Sequence, residues 1–199
     1  MTSPRIARPP APAWALLAPV MAAAACAPLA DRMGASLVHD LRIGAAYDPA
    51  MLRAGAPLRV IGTPPDGAAP EETARAARLP ARLGGRAPAL LAPGAPAPAV
   101  FMALSFAPGV GAEAACAKTP PTPQPSTAPQ STALQSTAAR PGPLRALFAL
   151  CVGGRPAVEA RLRSAATRGP RDAGFSRAMT QLFLAALPER NPALTRPPR

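Results

Sequence analysis

The sequence predicts a small α/β or α+β domain: a central sheet of two to four strands with helices packed on it, interrupted by disordered Pro/Ala-rich segments. Three observations lead there. The runs from Val100 to Phe106 and from Leu144 to Val152 are almost continuously apolar and have the length of central strands. Near the C-terminus, Phe175, Met179, Leu182, Phe183, Ala186 and Leu187 recur at helical spacing, which gives one helix an apolar face to lay on a sheet. The third is composition: 30 prolines and 15 glycines limit regular structure, and aromatic content is only 4%. The core must therefore rest on Leu, Val and Ala and be modest in size.

Taken in order, residues 26–36 are expected to form a tether. Asp48 to Gly55 reads as a short capped helix, with Asp48 as cap, Pro49 at the first helical position and Gly55 at the end. Pro57 to Gly62 reads as a short strand and Thr63 to Gly67 as a turn. Glu71 and Glu72 open a second helix that runs to about Leu79, where Pro80 stops it. Glu71 is expected to pair with Arg75 four residues on. Residues 87–98 are again Ala/Pro-rich. Lys118 to Pro143 is low in complexity, repeats QST at Gln130 and Gln135, and lacks the apolar residues to offset its ordering entropy. After Gly153-Gly154, Val158 to Arg163 alternates at period two and fits an edge strand beside the Leu144–Val152 run. The last helix is expected to have Asp172 as cap and Pro188 as stop. The reading is one domain in two parts, 37–117 and 144–188, split by an insert at 118–143 and followed by a loose tail at 189–199.

The N-terminus carries a different signal. Arg5 and Arg8 precede an uncharged apolar run from Ala13 to Ala25, shorter than the roughly 20 residues a membrane span needs. A basic start, an apolar run of this length and small residues at its end are the parts of a secretory signal peptide, here residues 1–25. Ala23-Ala24-Ala25-Cys26 resembles the lipobox of bacterial lipoproteins, and the match is confined to the N-terminus. The resemblance implies that the Cys26 thiol is acylated and becomes the first mature residue. It implies a lipid anchor in the bilayer, a periplasm-facing domain and, from Ala27 after the cysteine, sorting to the outer membrane. The same alanines also suit ordinary cleavage, which would leave Cys26 near a soluble N-terminus.

If Cys26 is acylated, Cys116 and Cys151 remain as an even pair in an oxidising compartment, and a disulfide between them is expected. A bridge closing that loop contributes about 4 kcal/mol by the chain-entropy argument.

The 22 basic residues exceed the 10 acidic ones, for a net charge of +12, and Lys118 is the single lysine. Residues 1–25 hold two arginines and no acid, so the mature chain keeps +10. Such a balance suits anionic partners, an anionic envelope polymer or another envelope protein. But Ala, Pro, Arg and Gly are inflated together, and a coding bias toward those residues is the reading that the scatter of the arginines favours. The arginines (Arg53, Arg59, Arg75, Arg78, Arg82, Arg86, Arg161, Arg163, Arg168) are scattered and not interleaved with stacking aromatics, which argues against nucleic acid.

No catalytic constellation, cofactor motif or metal-ligand set is read in the chain. The single histidine, His39, neighbours Asp40; if the stretch ASLVHDLRI is a strand, alternation sends the two side chains to opposite faces. Gly109 to Ala114 matches G-x-G-x-x-A after the strongest strand, but the space before the Pro-rich segment is too short for a crossover helix, so it reads as a turn. Glu113 and Glu159 are isolated. The sequence thus points to an envelope-anchored, non-enzymatic lipoprotein with a structural or binding role. Two rivals are a cytosolic basic nucleic-acid-binding protein and an exported hydrolase built from Asp48, Asp66 or His39 with a serine.

Overall fold

The computed structural model describes residues 36–53, 55–92, 94–119 and 142–194. The expected signal peptide, Cys26, the expected tether up to residue 35, positions 120–141 of the expected insert and residues 195–199 lie outside the described residues. The elements are β1 (Ser36–Ile43), α1 (Ala50–Arg53), β2 (Leu58–Ile61), α2 (Pro70–Ala76), a 3-10 turn (Ala81–Leu83), β3 (Val100–Ser105), α3 (Ala112–Cys116), β4 (Leu144–Val152), β5 (Arg155–Ser164) and α4 (Phe175–Ala186). The strands form one mixed sheet in the order β1-β5-β4-β3-β2. Among the described strands β2 and β3 run parallel and the other neighbours antiparallel, and a parallel bridge joins Leu58 to Leu90.

The expected sheet of two to four strands is corrected to five. The added strand is β1, whose pairing with β5 is broken by a register shift between His39 and Arg42. Asp40 sits there at φ 53°, a left-handed conformation that aspartate tolerates. The shift throws Val38 and Ile43 out of alternation, so no period-two pattern survives in the sequence. Because β1 lies outside β5, Val158 to Arg163 is not an edge strand. It alternates for a different reason: one face is covered and the other meets solvent.

The two apolar runs become β3 and β4, side by side and buried along nearly their whole length. Between β4 and β5, Gly153 (φ 59°) and Gly154 (φ 82°) form the tight hairpin, since both central positions need positive φ. On one face of the sheet, Phe148, Leu150, Val158 and Leu162 pack against α4, with Phe148 and Phe183 edge to face at 5.3 Å. Each fully buried Phe or Leu here contributes about 1.5–3 kcal/mol of apolar burial. On the other face, α3 lies over Phe101, Ala149 and Cys151, and the Cys116–Cys151 disulfide ties it down with Cα atoms 5.3 Å apart.

The outer edge of β2 is covered by the Ala/Pro-rich stretch, where Leu58 exchanges backbone hydrogen bonds with Ala89 and Leu91. Asp48 accepts from the Ala50 amide at 2.8 Å, as a cap should. The other two local expectations are corrected. Asp172 does not cap α4; its carboxylate accepts from the Arg168 amide, and Gly174 stands at the cap position. The ion pair of α2 is made by Glu72, not Glu71: both Glu72 oxygens meet Arg171 at 3.1 Å, because Asp66 accepts from the Arg171 amide and fixes that residue in place.

The end of α4 is held from outside. The Arg82 guanidinium donates to the carbonyls of Leu184 and Leu187, satisfying orphan acceptors of the last turn. The Tyr47 hydroxyl donates to the Pro188 carbonyl, and burial raises its pKa above the usual phenol value. Asn191, placed by the sequence in a loose tail, is buried, and its amide donates to the carbonyls of Gly44 and Tyr47.

Three outcomes follow from this packing. Replacing both Cys116 and Cys151 by alanine lowers stability by about 2–4 kcal/mol in denaturant unfolding. Asn191→Ala lowers it by about 1–3 kcal/mol, because buried carbonyls lose their donor. The Arg171 hydrogen bonds hold the Glu72 carboxyl below its ordinary pKa of 4.5. The stabilisation from that pair is complete above the ordinary value and disappears as pH falls through the depressed one. The stability difference between the native chain and Glu72→Gln should therefore shrink on acidification, which urea unfolding across that range would read.

Candidate functional site

The face that carries α3 is only half covered. α3 has five residues, and they reach the part of the sheet near Phe101, Ala149 and Cys151. Beyond it the strands present side chains to solvent in two cross-strand rows. One row runs Leu37, Arg163, Arg145; the next runs His39, Arg161, Leu147, Ser105. Arg145, Arg161 and Arg163 are exposed, while Leu147 and Ser105 form a buried floor.

The loop from Phe106 to Val110 makes the wall of this floor. Its position depends on Gly62, where a Cβ would come within 2.8 Å of the Ala107 amide nitrogen, so only glycine lets the loop approach so closely. Between the loop and the arginines lies an open cavity of about 410 Å³. Two features of it stand out. Arg145 and Arg163 are directly opposite each other on adjacent strands, and like charges in that register destabilise a sheet. Neither guanidinium has an ion pair within 4 Å among the described residues, whereas Arg161 lies near Asp40 (3.7 Å) and Glu159 (3.9 Å). The second is Ser105, 2% exposed, whose hydroxyl has no hydrogen-bond partner among the described residues.

A larger cavity, about 620 Å³, lies between α1 and the 3-10 turn. Arg82 lines it but is already committed to the end of α4. The groove at Ser105 is the better candidate because its polar groups are not spent on the fold.

The arginines that the sequence scatters fall into distinct roles. Arg59 is structural: it is 4% exposed, stacks 4.6 Å above the Phe101 ring and donates to the carbonyls of Ala115, Ala117 and Lys118 at the end of α3. Burial lowers its pKa. Arg82 and Arg171 are structural as described. Arg145, absent from the sequence-based set, joins Arg161 and Arg163 at the groove. The one signal for it was a lone charge inside the apolar run LRALFALCV; its register against Arg163 was not readable. Ser105 gave no signal at all, since a serine at a strand end is ordinary.

His39 and Asp40 are closer than strand alternation allows. The left-handed turn at Asp40 brings its carboxylate to 3.0 Å from His39 Nδ1, which corrects the expectation of opposite faces. Both are substantially exposed. Ser105 lies on the same row but three strand spacings away, roughly 14 Å, so the pair does not reach it as a nucleophile. Asp48 caps α1, and Asp66 accepts from the amides of Ala68 and Arg171. Thus the carboxylates of Asp48 and Asp66 are engaged by backbone amides, and His39 by its neighbour Asp40. Gly109 adopts φ 79° in the turn leaving β3, and the short α3 follows Gly111. No cluster of three His, Cys, Asp or Glu side chains that could hold a metal occurs among the described residues. No helix among them is long and apolar enough to cross a membrane.

Comparison with protein-family models and with curated proteins finds no match. Among solved structures, two of the PelC dodecamer from Paraburkholderia phytofirmans are similar. One, a single-residue variant, is 16% identical with a TM-score of 0.34; the other is 14% identical with a TM-score of 0.32. In each, the alignment covers 78% of this chain and 99% of the PelC chain. Superposition at this level carries no argument about the present chain.

Proposed function

We propose that this chain is an envelope-anchored lipoprotein with a non-enzymatic binding role, held to the bilayer through acylated Cys26 and turning its open basic half-face toward an anionic envelope polymer. The observation that carries the binding part is the opposed Arg145–Arg163 pair on that half-face. Two arginines set opposite each other on adjacent strands, with no ion pair to either among the described residues, are a frustration that an external anion relieves. The envelope part rests on the AAAC motif and is supported by the Cys116–Cys151 disulfide, a bond that persists in oxidising compartments.

A nucleic-acid role is disfavoured by charge density. A phosphate backbone asks for a long stripe of available cations, and at this face Arg161 is already near two acids.

The test has two arms. The N-terminal peptide from a membrane fraction, weighed without reduction, is expected to begin at diacylated Cys26; an intact Met1 on a soluble chain would overturn the anchoring. The purified protein is expected to be retained on immobilised polygalacturonate and released by salt, and the Arg145→Ala, Arg163→Ala double variant to pass through. Equal retention of that variant would overturn the assignment of the face.

A further inference from the structure

We infer that the groove at Ser105 is a subsite for a single carboxylated sugar residue, its carboxylate clamped by Arg145 and Arg163 and its ring set against the wall formed by Pro108 and Val110. The inference rests on the anionic-polymer reading and narrows it to one residue of such a polymer.

Three observations converge. Ser105 offers a buried hydroxyl with no partner, at the floor of the cavity. A buried polar group left unsatisfied is unfavourable in the empty protein, and a ligand oxygen accepting from it removes that penalty. Arg145 lies diagonally across from Ser105: Ser105 faces Leu147, and Arg145 is two residues along the same strand. Diagonal neighbours stand about 7–8 Å apart, a span that an arginine side chain covers. The Arg145 guanidinium can thus reach over Ser105, and an oxyanion it holds meets the hydroxyl, now shielded from solvent, once the Ser105 side chain turns toward the cavity.

The chemistry of the occupant follows from the remainder. Guanidinium forks match a planar carboxylate bidentately. Only two arginines here lack acidic neighbours, which suits one sparsely charged unit rather than a run of phosphates. The wall is apolar, with Pro108 exposed and Val110 partly exposed, beside a hydroxyl donor. Such a pairing of apolar surface with few placed polar groups is typical of small-ligand sites, and the volume of about 410 Å³ lies within their range. A sugar acid presents the complementary surface: an anionic group, hydroxyls and an apolar ring face.

The experiment is calorimetric titration of the mature protein with trigalacturonate, alongside neutral galactotriose and inorganic phosphate. Trigalacturonate should bind and galactotriose should not, with phosphate much weaker. Ser105→Ala should weaken trigalacturonate about five- to tenfold, the loss of one hydrogen bond, without lowering Tm, because it removes an unsatisfied hydroxyl. Arg145→Ala should weaken binding further. Unchanged affinity in Ser105→Ala, or phosphate binding as tightly as the sugar acid, would overturn the subsite. If polygalacturonate retains the protein in an Arg145- and Arg163-dependent way but trigalacturonate produces no heat and shifts no amide near residues 105–110, the subsite fails and the polymer-binding face stands. If trigalacturonate binds with the expected Ser105 dependence while the polymer is not retained, the subsite stands and the polymer reading fails.

Discussion

Strands β3 and β4 are apolar along both of their faces, and that double demand for cover organises the molecule. A strand pair of this kind is stable only when something apolar lies above and below it. The twelve-residue α4 meets the demand on one side, reaching across to β5 and β1. On the other side the available helix has five residues. A segment so short has little helical stability of its own. It is kept in place by a covalent bond from Cys116 and by Arg59, whose buried guanidinium takes up the carbonyls at its end. The limited reach of α3 then decides the rest: beyond it the sheet must turn polar, and the polar residues it carries are arginines.

That asymmetry also explains which arginines matter where. A guanidinium under α3 finds carbonyls and an aromatic ring and becomes part of the scaffold. One placed two rows away finds another guanidinium across the strand. Identical side chains on one face of one sheet thus differ in role because the five residues of α3 cover only part of that face. The net charge of the chain could not distinguish them.

Much of the scaffold was legible. Both central strands, the short strand at Leu58, the Gly-Gly hairpin, the capped turn at Asp48, the final helix and the cysteine pair all carry local signals: unbroken apolar runs, positive-φ glycines, helical periodicity and the two cysteines left once Cys26 is set aside. The elements that escaped are those whose cause is not local. β1 is hidden by a bulge that breaks alternation, Leu90 pairs from within a stretch that looks irregular, and Asn191 is buried by partners nearly 150 residues away. The candidate site was almost wholly illegible for the same reason. It exists only as cross-strand register, which sets Arg145 beside Arg163 and Ser105 beside Leu147, and register is not written in either strand alone.

The placement of β1 has a consequence for the order of assembly. The β4–β5 hairpin closes through two residues and can form early, but β1 pairs with β5 alone, more than a hundred residues downstream. Such long-range pairing is slow, because loop-closure entropy opposes it before contacts repay it. The carbonyls of Gly44 and Tyr47 wait still longer, for Asn191. A chain made from its N-terminus onward therefore cannot complete this sheet until its last strand and helix have emerged. Until then β1 has no partner strand, and the turn after it lacks the side chain that fastens it to the far end of the chain.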